Sequence, residues 1–160
     1  LFHLRFVAKS NGQDEQYWSN MLENPSRRAW QGYAFEQLCL HHLPQIKRGL
    51  GISGILTEAY AWSCKSFTDT NGTERKGTQI DLVIDRRDQI INLCEMKFSS
   101  SLYVIDADYD ERLRSRTDTF RSSTKTRKAL HTVLITTYGI QQNKYSNNVQ
   151  RILSLEELFD

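Results

Sequence analysis

The chain has 160 residues, with 21 Lys and Arg against 19 Asp and Glu and 39% hydrophobic residues. These figures fit one domain with a sizeable core and exclude a disordered or low-complexity chain. A net charge of +2 excludes any inference to nucleic acid from bulk charge, so only the distribution of charge can carry one.

The three cysteines, Cys39, Cys64 and Cys94, lie in apolar segments, are odd in number and form no CxxC. That pattern reads as reduced, buried thiols in a cytoplasmic protein. His41-His42 is the one close His or Cys pair, and adjacent helix positions do not face one another, which argues against zinc. No signal peptide and no apolar run long enough to cross a bilayer is visible, so no membrane partner is expected.

Residues 1–24 read as a connector. Leu1 to Val7 is apolar and helical in character, Lys9 to Gln16 is polar with a turn at Asn11-Gly12, and Tyr17-Trp18 opens a small apolar patch of core anchors. The start at Leu1 rather than methionine suggests a piece of something larger. A domain over residues 25–160 follows. Asn24-Pro25-Ser26 opens a helix from about Arg27 to Leu43, broken at Pro44. On the face of Glu36 lie Gly32, Tyr33, Cys39 and Leu40, an apolar setting in which an acid needs a partner. Glu36 reads either as a partly exposed edge residue or as a carboxylate turned towards a site, and the second is favoured. Gly32 suits a close backbone approach. Gln45 to Gly51 is a short basic helix, and Gly54 to Phe67 a strand. The polar stretch Thr68 to Gly77, with Asn71-Gly72, reads as a mobile, substrate-contacting loop or as a plain solvated connection.

Two strands then run from about Thr78 to Arg86 and Gln89 to Ser99. Ile91, Leu93, Glu95 and Lys97 share one face of the second, and Asn92, Cys94, Met96 and Phe98 the other. Apolar residues on both faces predict a covered, central strand. A carboxylate and an ammonium at its end are costly to bury unless paired or metal-bound. A two-residue loop would place Asp81 opposite Cys94. A three-residue loop, Arg87 to Gln89, or a bulge of equal effect, places it opposite Glu95 and is the expectation here. Two carboxylates so placed repel, and a hard divalent cation removes the conflict. Gln79 shares the face of Asp81 and is a hydrogen-bond partner for it. The plainer reading is a hairpin whose Glu95 and Lys97 pair with neighbours.

Leu102 to Ile105 is apolar, and Asp106 caps a helix carrying Tyr109, Leu113 and Phe120 on a helical repeat. From Arg112 to Lys128 the chain holds Arg112, Arg114, Arg116, Arg121, Lys125, Arg127 and Lys128 against Asp118 alone. Such a stripe suits phosphate tracking or, equally, a solvated helix face. A site at one end tips the reading to nucleic-acid contact by Arg112, Arg116, Arg121, Lys125, Arg127 and Lys128. His131 to Tyr138 is a buried strand, Gln141 to Asn148 a loop, Val149 to Leu153 a last strand, and Ser154 caps a terminal helix.

The spacing of Asp81 from Glu95-Met96-Lys97 resembles the core signature of the PD-(D/E)XK nuclease superfamily, with Ile80 where the motif has proline. The order of elements matches the αβββαβ core of that superfamily. The stretches RAWQGYAFEQLCLHHLPQIKRGLGI, GTQIDLVIDRRDQIINLCEMKFS and TKTRKALHTVLITTYG look like the C-terminal domain of archaeal-type DEXX-box ATPases of Bacteroidetes. The resemblance implies an α/β, restriction-endonuclease-like fold with a central mixed sheet flanked by helices. It implies Asp81, Glu95 and Glu36 as ligands of Mg²⁺ (Mn²⁺ as substitute), with the Met96 carbonyl as a further one, and Lys97 as the residue that positions water. The function it implies is DNA hydrolysis, alongside ATPase and winged-helix domains earlier in the full chain. A homo-oligomer is compatible with such a domain. No GxxxxGK[ST] loop is present, so ATP hydrolysis through one is not expected of these residues. The alternatives are an inactive module of the same fold that docks the ATPase to DNA or a protein, and a sensor of a small phosphorylated ligand.

Overall fold

The computed structural model describes residues 25–159. The connector expected over residues 1–24 lies outside them. Helix α1 (Pro25–His41) and helix α2 (Leu43–Gly49) come first, with Pro44 in the opening turn of α2 where its missing N–H does no harm. Strand β1 (Thr57–Cys64), the two-residue strands β2 (Phe67–Thr68) and β3 (Glu74–Arg75), and the long strands β4 (Thr78–Arg86) and β5 (Ile90–Lys97) follow. Helix α3 (Ala107–Thr124), strands β6 (Ala129–Thr136) and β7 (Arg151–Ser154), and the short helix α4 (Leu155–Phe159) complete the order.

The fold is α/β. A five-stranded sheet in the order β1-β4-β5-β6-β7 is mixed: β1, β4 and β5 are antiparallel neighbours, while β5, β6 and β7 run parallel. A parallel pair needs a crossover, and α3 supplies it between β5 and β6. The expected central position of the second hairpin strand holds, since β5 lies between β4 and β6. Its faces divide as the alternation requires. Cys94 and Met96 pack with Phe35 and Cys39 of α1 and with Leu82, Ile84, Val133 and Ile135. Ile91 and Leu93 pack with Val83, Ile80 and Phe120 of α3 on the other side. Burial pushes the Cys39 thiol up to about 12 and raises Cys94 further, so both remain thiols at neutral pH.

The structure departs from the sequence reading in three places. The strand expected over Gly54 to Phe67 is shorter, because Gly51 takes a positive φ and residues 52–55 close a turn through Ile55 N–H to the Ile52 carbonyl. The stretch from Thr68 to Gly77, read as a mobile loop or a plain solvated connection, is mostly a hydrogen-bonded ribbon. Asp69 accepts from the Thr73 and Asn71 N–H groups and from Arg75 Nε, each at 2.9 Å, and these bonds hold its carboxyl below the usual range. Gly32 does not serve a close approach, since a Cβ there would meet nothing within 4 Å. Gly77 is the glycine that does. A Cβ on it would stand 3.0 Å from the Cys64 carbonyl oxygen, so the entry to β4 is seated directly on the end of β1.

Both later helices begin as their caps dictate. Asp106 accepts from Tyr109 N–H at 2.8 Å to open α3, and Ser154 and Glu157 bond each other's backbone N–H groups to open α4. Within α3, Asp110 is only 2% exposed. It pairs with Arg114 at 2.9 Å and accepts from Asn148 Nδ2 at 2.8 Å, tying the helix to the segment before β7. We expect Asp110→Ala to lower unfolding free energy by about 1.5–3 kcal/mol, the range for hydrogen bonds to a charged group. Denaturant unfolding checks this, and an unchanged midpoint would mean the tie contributes nothing.

Candidate active site

The connection between β4 and β5 is the three-residue loop Arg87 to Gln89, with Gln89 at φ 69°. A positive φ at the third position is how such a loop turns the chain back. The resulting register pairs Asp85 with Ile91 and Leu82 with Cys94. Continued by one pair, it sets Asp81 against Glu95, as expected from the loop length. A second device acts at the same point. β1 pairs Tyr60 with Val83 but Trp62 with Ile80, so one residue of β1 spans two of β4, Asp81 and Leu82. This is a bulge, which re-aims a side chain and locally ends regular pairing. It explains why Ile80 and Val83 share one apolar cluster despite their odd separation.

Glu36 on α1 belongs to the same corner. Its carboxyl is held above the ordinary value first by burial, then by the negative charge of Asp81, with Lys97 opposing and Glu95 adding to the rise. Asp81, Lys97 and Glu95, all singled out in the sequence, are therefore near enough to bear on the Glu36 carboxyl. Gln79 Nε2 donates to Asp81 Oδ1 at 2.6 Å. The Met96 side chain faces the α1 side of the core, and its backbone lies in the ladder with β6.

Glu95 is 8% exposed, and its carboxylate accepts from the Arg116 guanidinium of α3. In this respect the plainer reading, a Glu95 paired with a neighbour, describes the molecule. Among the described residues, no three His, Cys, Asp or Glu side chains stand together as a metal-ligand group. The donor chemistry still suits a hard ion: the register sets the Asp81 and Glu95 carboxylates opposite each other, and both charges weigh against ionising Glu36.

Around Lys97 the cations gather on Tyr109. Lys97 Nζ lies 5.5 Å from the Tyr109 ring centroid and Arg112 Cζ lies 5.3 Å from it. Tyr103 meets the same ring edge-on at 5.5 Å. The Tyr109 hydroxyl is buried without a hydrogen-bond partner and its acidity is suppressed by burial and by Glu95. Sequence reading placed Tyr109 in the core and Arg116 in a surface stripe. The available signal was their spacing: positions 109, 112, 116 and 120 fall on one face of a helix.

The basic stripe does not act as one unit. Arg116 pairs with Glu95, and Arg112 lies over the Tyr109 ring. Arg121 Nη1 donates to the Thr126 and Lys128 carbonyls, and Lys128 Nζ contacts Asp85 at 2.5 Å and the Arg86 carbonyl at 2.9 Å. Lys125 is the left-handed cap of α3, and Arg127 is exposed just beyond it. At 1.5 Å of rise per residue, Lys125 lies about 20 Å along the axis from Arg112. Beside the first group, Lys76, Thr78, Arg112, Ser115 and Arg116 help line an open cleft of about 640 Å³.

The raised carboxyl of Glu36 gives a signed prediction. The folded chain holds its proton more tightly than the unfolded chain. Stability present below about pH 4 is therefore lost as pH rises through the folded value. In EDTA, Glu36→Gln should match the parent near pH 4 and exceed it at pH 7 by roughly 1–3 °C in Tm, a small gain because the group is partly exposed. Parallel curves across that range would mean the neighbouring charges do not reach Glu36.

No family model matches the chain, and no curated protein matches it. A solved structure, the crystal structure of protein of unknown function AF1548, is similar at 18% identity and a TM-score of 0.44, over 74% of this chain and 64% of that one. The chain thus spans just under two thirds of that protein's length, and a likeness at that score carries no argument about fold or function.

Proposed function

We propose that the domain is a Mg²⁺-dependent nuclease module that hydrolyses DNA phosphodiester bonds. The observation that carries this reading is the hairpin register, which sets Asp81 against Glu95 with Lys97 two residues further along the same strand. The Glu36 carboxyl on α1 is raised first by burial and then by the charge of Asp81, with Lys97 opposing and Glu95 adding to the rise. Mutual repulsion among acids at a covered sheet end is a net cost unless a cation relieves it.

Asp81, Glu95 and Glu36 would hold the ion, with the Met96 carbonyl as a further oxygen. Bound there, a divalent ion supplies an acidified water and neutralises charge on the phosphate. Lys97, steadied over the Tyr109 ring, holds the attacking water by hydrogen bonding. Gln79 fixes the rotamer of Asp81. Arg112 takes phosphate oxygens from the cleft side, where a fork of N–H donors suits them. Mn²⁺ substitutes for Mg²⁺ in such an oxygen site. Arg121, Lys125, Arg127 and Lys128, near and beyond the far end of α3, suit a more distant stretch of backbone. Placement of the module behind ATPase and winged-helix domains, in the cytoplasm and on DNA, belongs to this same reading. Among the described residues no helix is long and apolar enough to cross a membrane.

A second reading has one observation in its favour. The Arg116–Glu95 ion pair satisfies Glu95 without a metal, as in an inactive module that docks a larger protein to DNA or to a partner. The two readings part on one substitution. Asp81→Ala should leave the fold intact and reduce Mg²⁺- or Mn²⁺-dependent cleavage of DNA by about a thousandfold or more. Cleavage equal to the parent's ends the nuclease proposal, as does a parent that binds DNA in a salt-dependent way and never cuts it.

A further inference from the structure

We infer that Arg116 is a built-in competitor of the metal at Glu95. The guanidinium and a divalent cation exclude one another on that carboxylate, and ion binding frees Arg116 for a phosphate oxygen in the adjoining cleft. The inference rests on the metal-site reading above and adds a residue and a coupling to it.

The arginines of α3 have different partners, and Arg112 lies over the Tyr109 ring. Arg114 pairs with Asp110, which is buried in the body of the fold, and Arg121 closes the end of the helix. Arg116 alone among them sits on a carboxylate of the candidate site. Its side chain is 27% exposed against 9% for that of Glu95, so the arginine has a way out that the acid lacks. Its other contact, Nε to Thr78 Oγ1 at 3.2 Å, is to a neutral hydroxyl and is easily exchanged for water.

The way out leads into the cleft. Arg116 is part of its wall with Lys76, Thr78, Arg112 and Ser115, while three acids from the start of α3 also reach it. A phosphate there is drawn to the Arg112–Arg116 side, one turn apart on one helix face. At comparable distance a doubly charged ion attracts Glu95 about twice as strongly as a guanidinium does, which sets the two cations in competition for that carboxylate. Loss of the ion lets Arg116 fall back, which keeps Glu95 paired and the site inert.

Mn²⁺ titration by calorimetry tests this, with Arg116→Gln, Arg116→Lys and Glu95→Gln compared with the parent. Removing a competitor should tighten Mn²⁺ binding about tenfold in Arg116→Gln, with Arg116→Lys between that variant and the parent. In the Glu95→Gln background the Arg116 change should have no effect on Mn²⁺. The same Arg116→Gln variant should bind DNA more weakly in Mn²⁺ and show a salt slope smaller by about one. Thermal unfolding keeps the test readable if Arg116→Gln is destabilised, because Mn²⁺ should then raise its Tm more than it raises the parent's. Binding by Arg116→Gln alone also supports the competition. A parent that binds Mn²⁺ and a variant that binds no tighter overturns the competition and leaves the metal site standing. Silence from both overturns the two together.

Discussion

An ionisable group at the end of a doubly covered strand has few stable states, and β5 ends in two such groups. Its length is apolar on both faces, against α1 on one side and α3 on the other. Glu95 and Lys97 must therefore find partners in a small volume, because the surroundings cannot solvate them. Lys97 leans on the Tyr109 ring and Glu95 on Arg116. Every other feature of the corner follows from placing more charge where charge is already difficult to hold.

Four pieces of backbone bring that charge in. The loop after β4 sets the register, and the bulge at Asp81-Leu82 turns the strand just where the register would otherwise continue. Gly77 lets the start of β4 sit on the end of β1, which positions Thr78 and Gln79. α1 lays Glu36 over the same end through Phe35, Cys39 and the α1 face of the sheet. A fold built for stability alone has no need of a third carboxylate here, since paired acids and bases could be replaced by apolar residues at little loss.

Much of this was legible in the sequence where side-chain period and local chemistry agree. The alternation in β5, the loop length that follows from it, the Asp106 cap and the buried face of α3 all rest on patterns within a few residues. Glu36 was legible as an acid in the wrong company. What escaped was set by contacts distant in sequence. The ribbon over residues 67–75 depends on one carboxylate, Asp69, capturing three donors at once. The helical spacing put Arg116 on the face of Tyr109 and Phe120, but only β5 laid beside that face made Glu95 its partner. Tyr109 looked like an ordinary core residue, because its ring is one and its hydroxyl is not.

A cation held between the acids of β4 and β5 is what the proposed function requires. Diffraction from crystals soaked in Mn²⁺, collected near the manganese absorption edge, tests it directly. The expected result is an anomalous peak within about 2.5 Å of oxygens from Asp81 and Glu95, with Arg116 withdrawn. A map without that peak, with Arg116 still on Glu95 at saturating Mn²⁺, would contradict it.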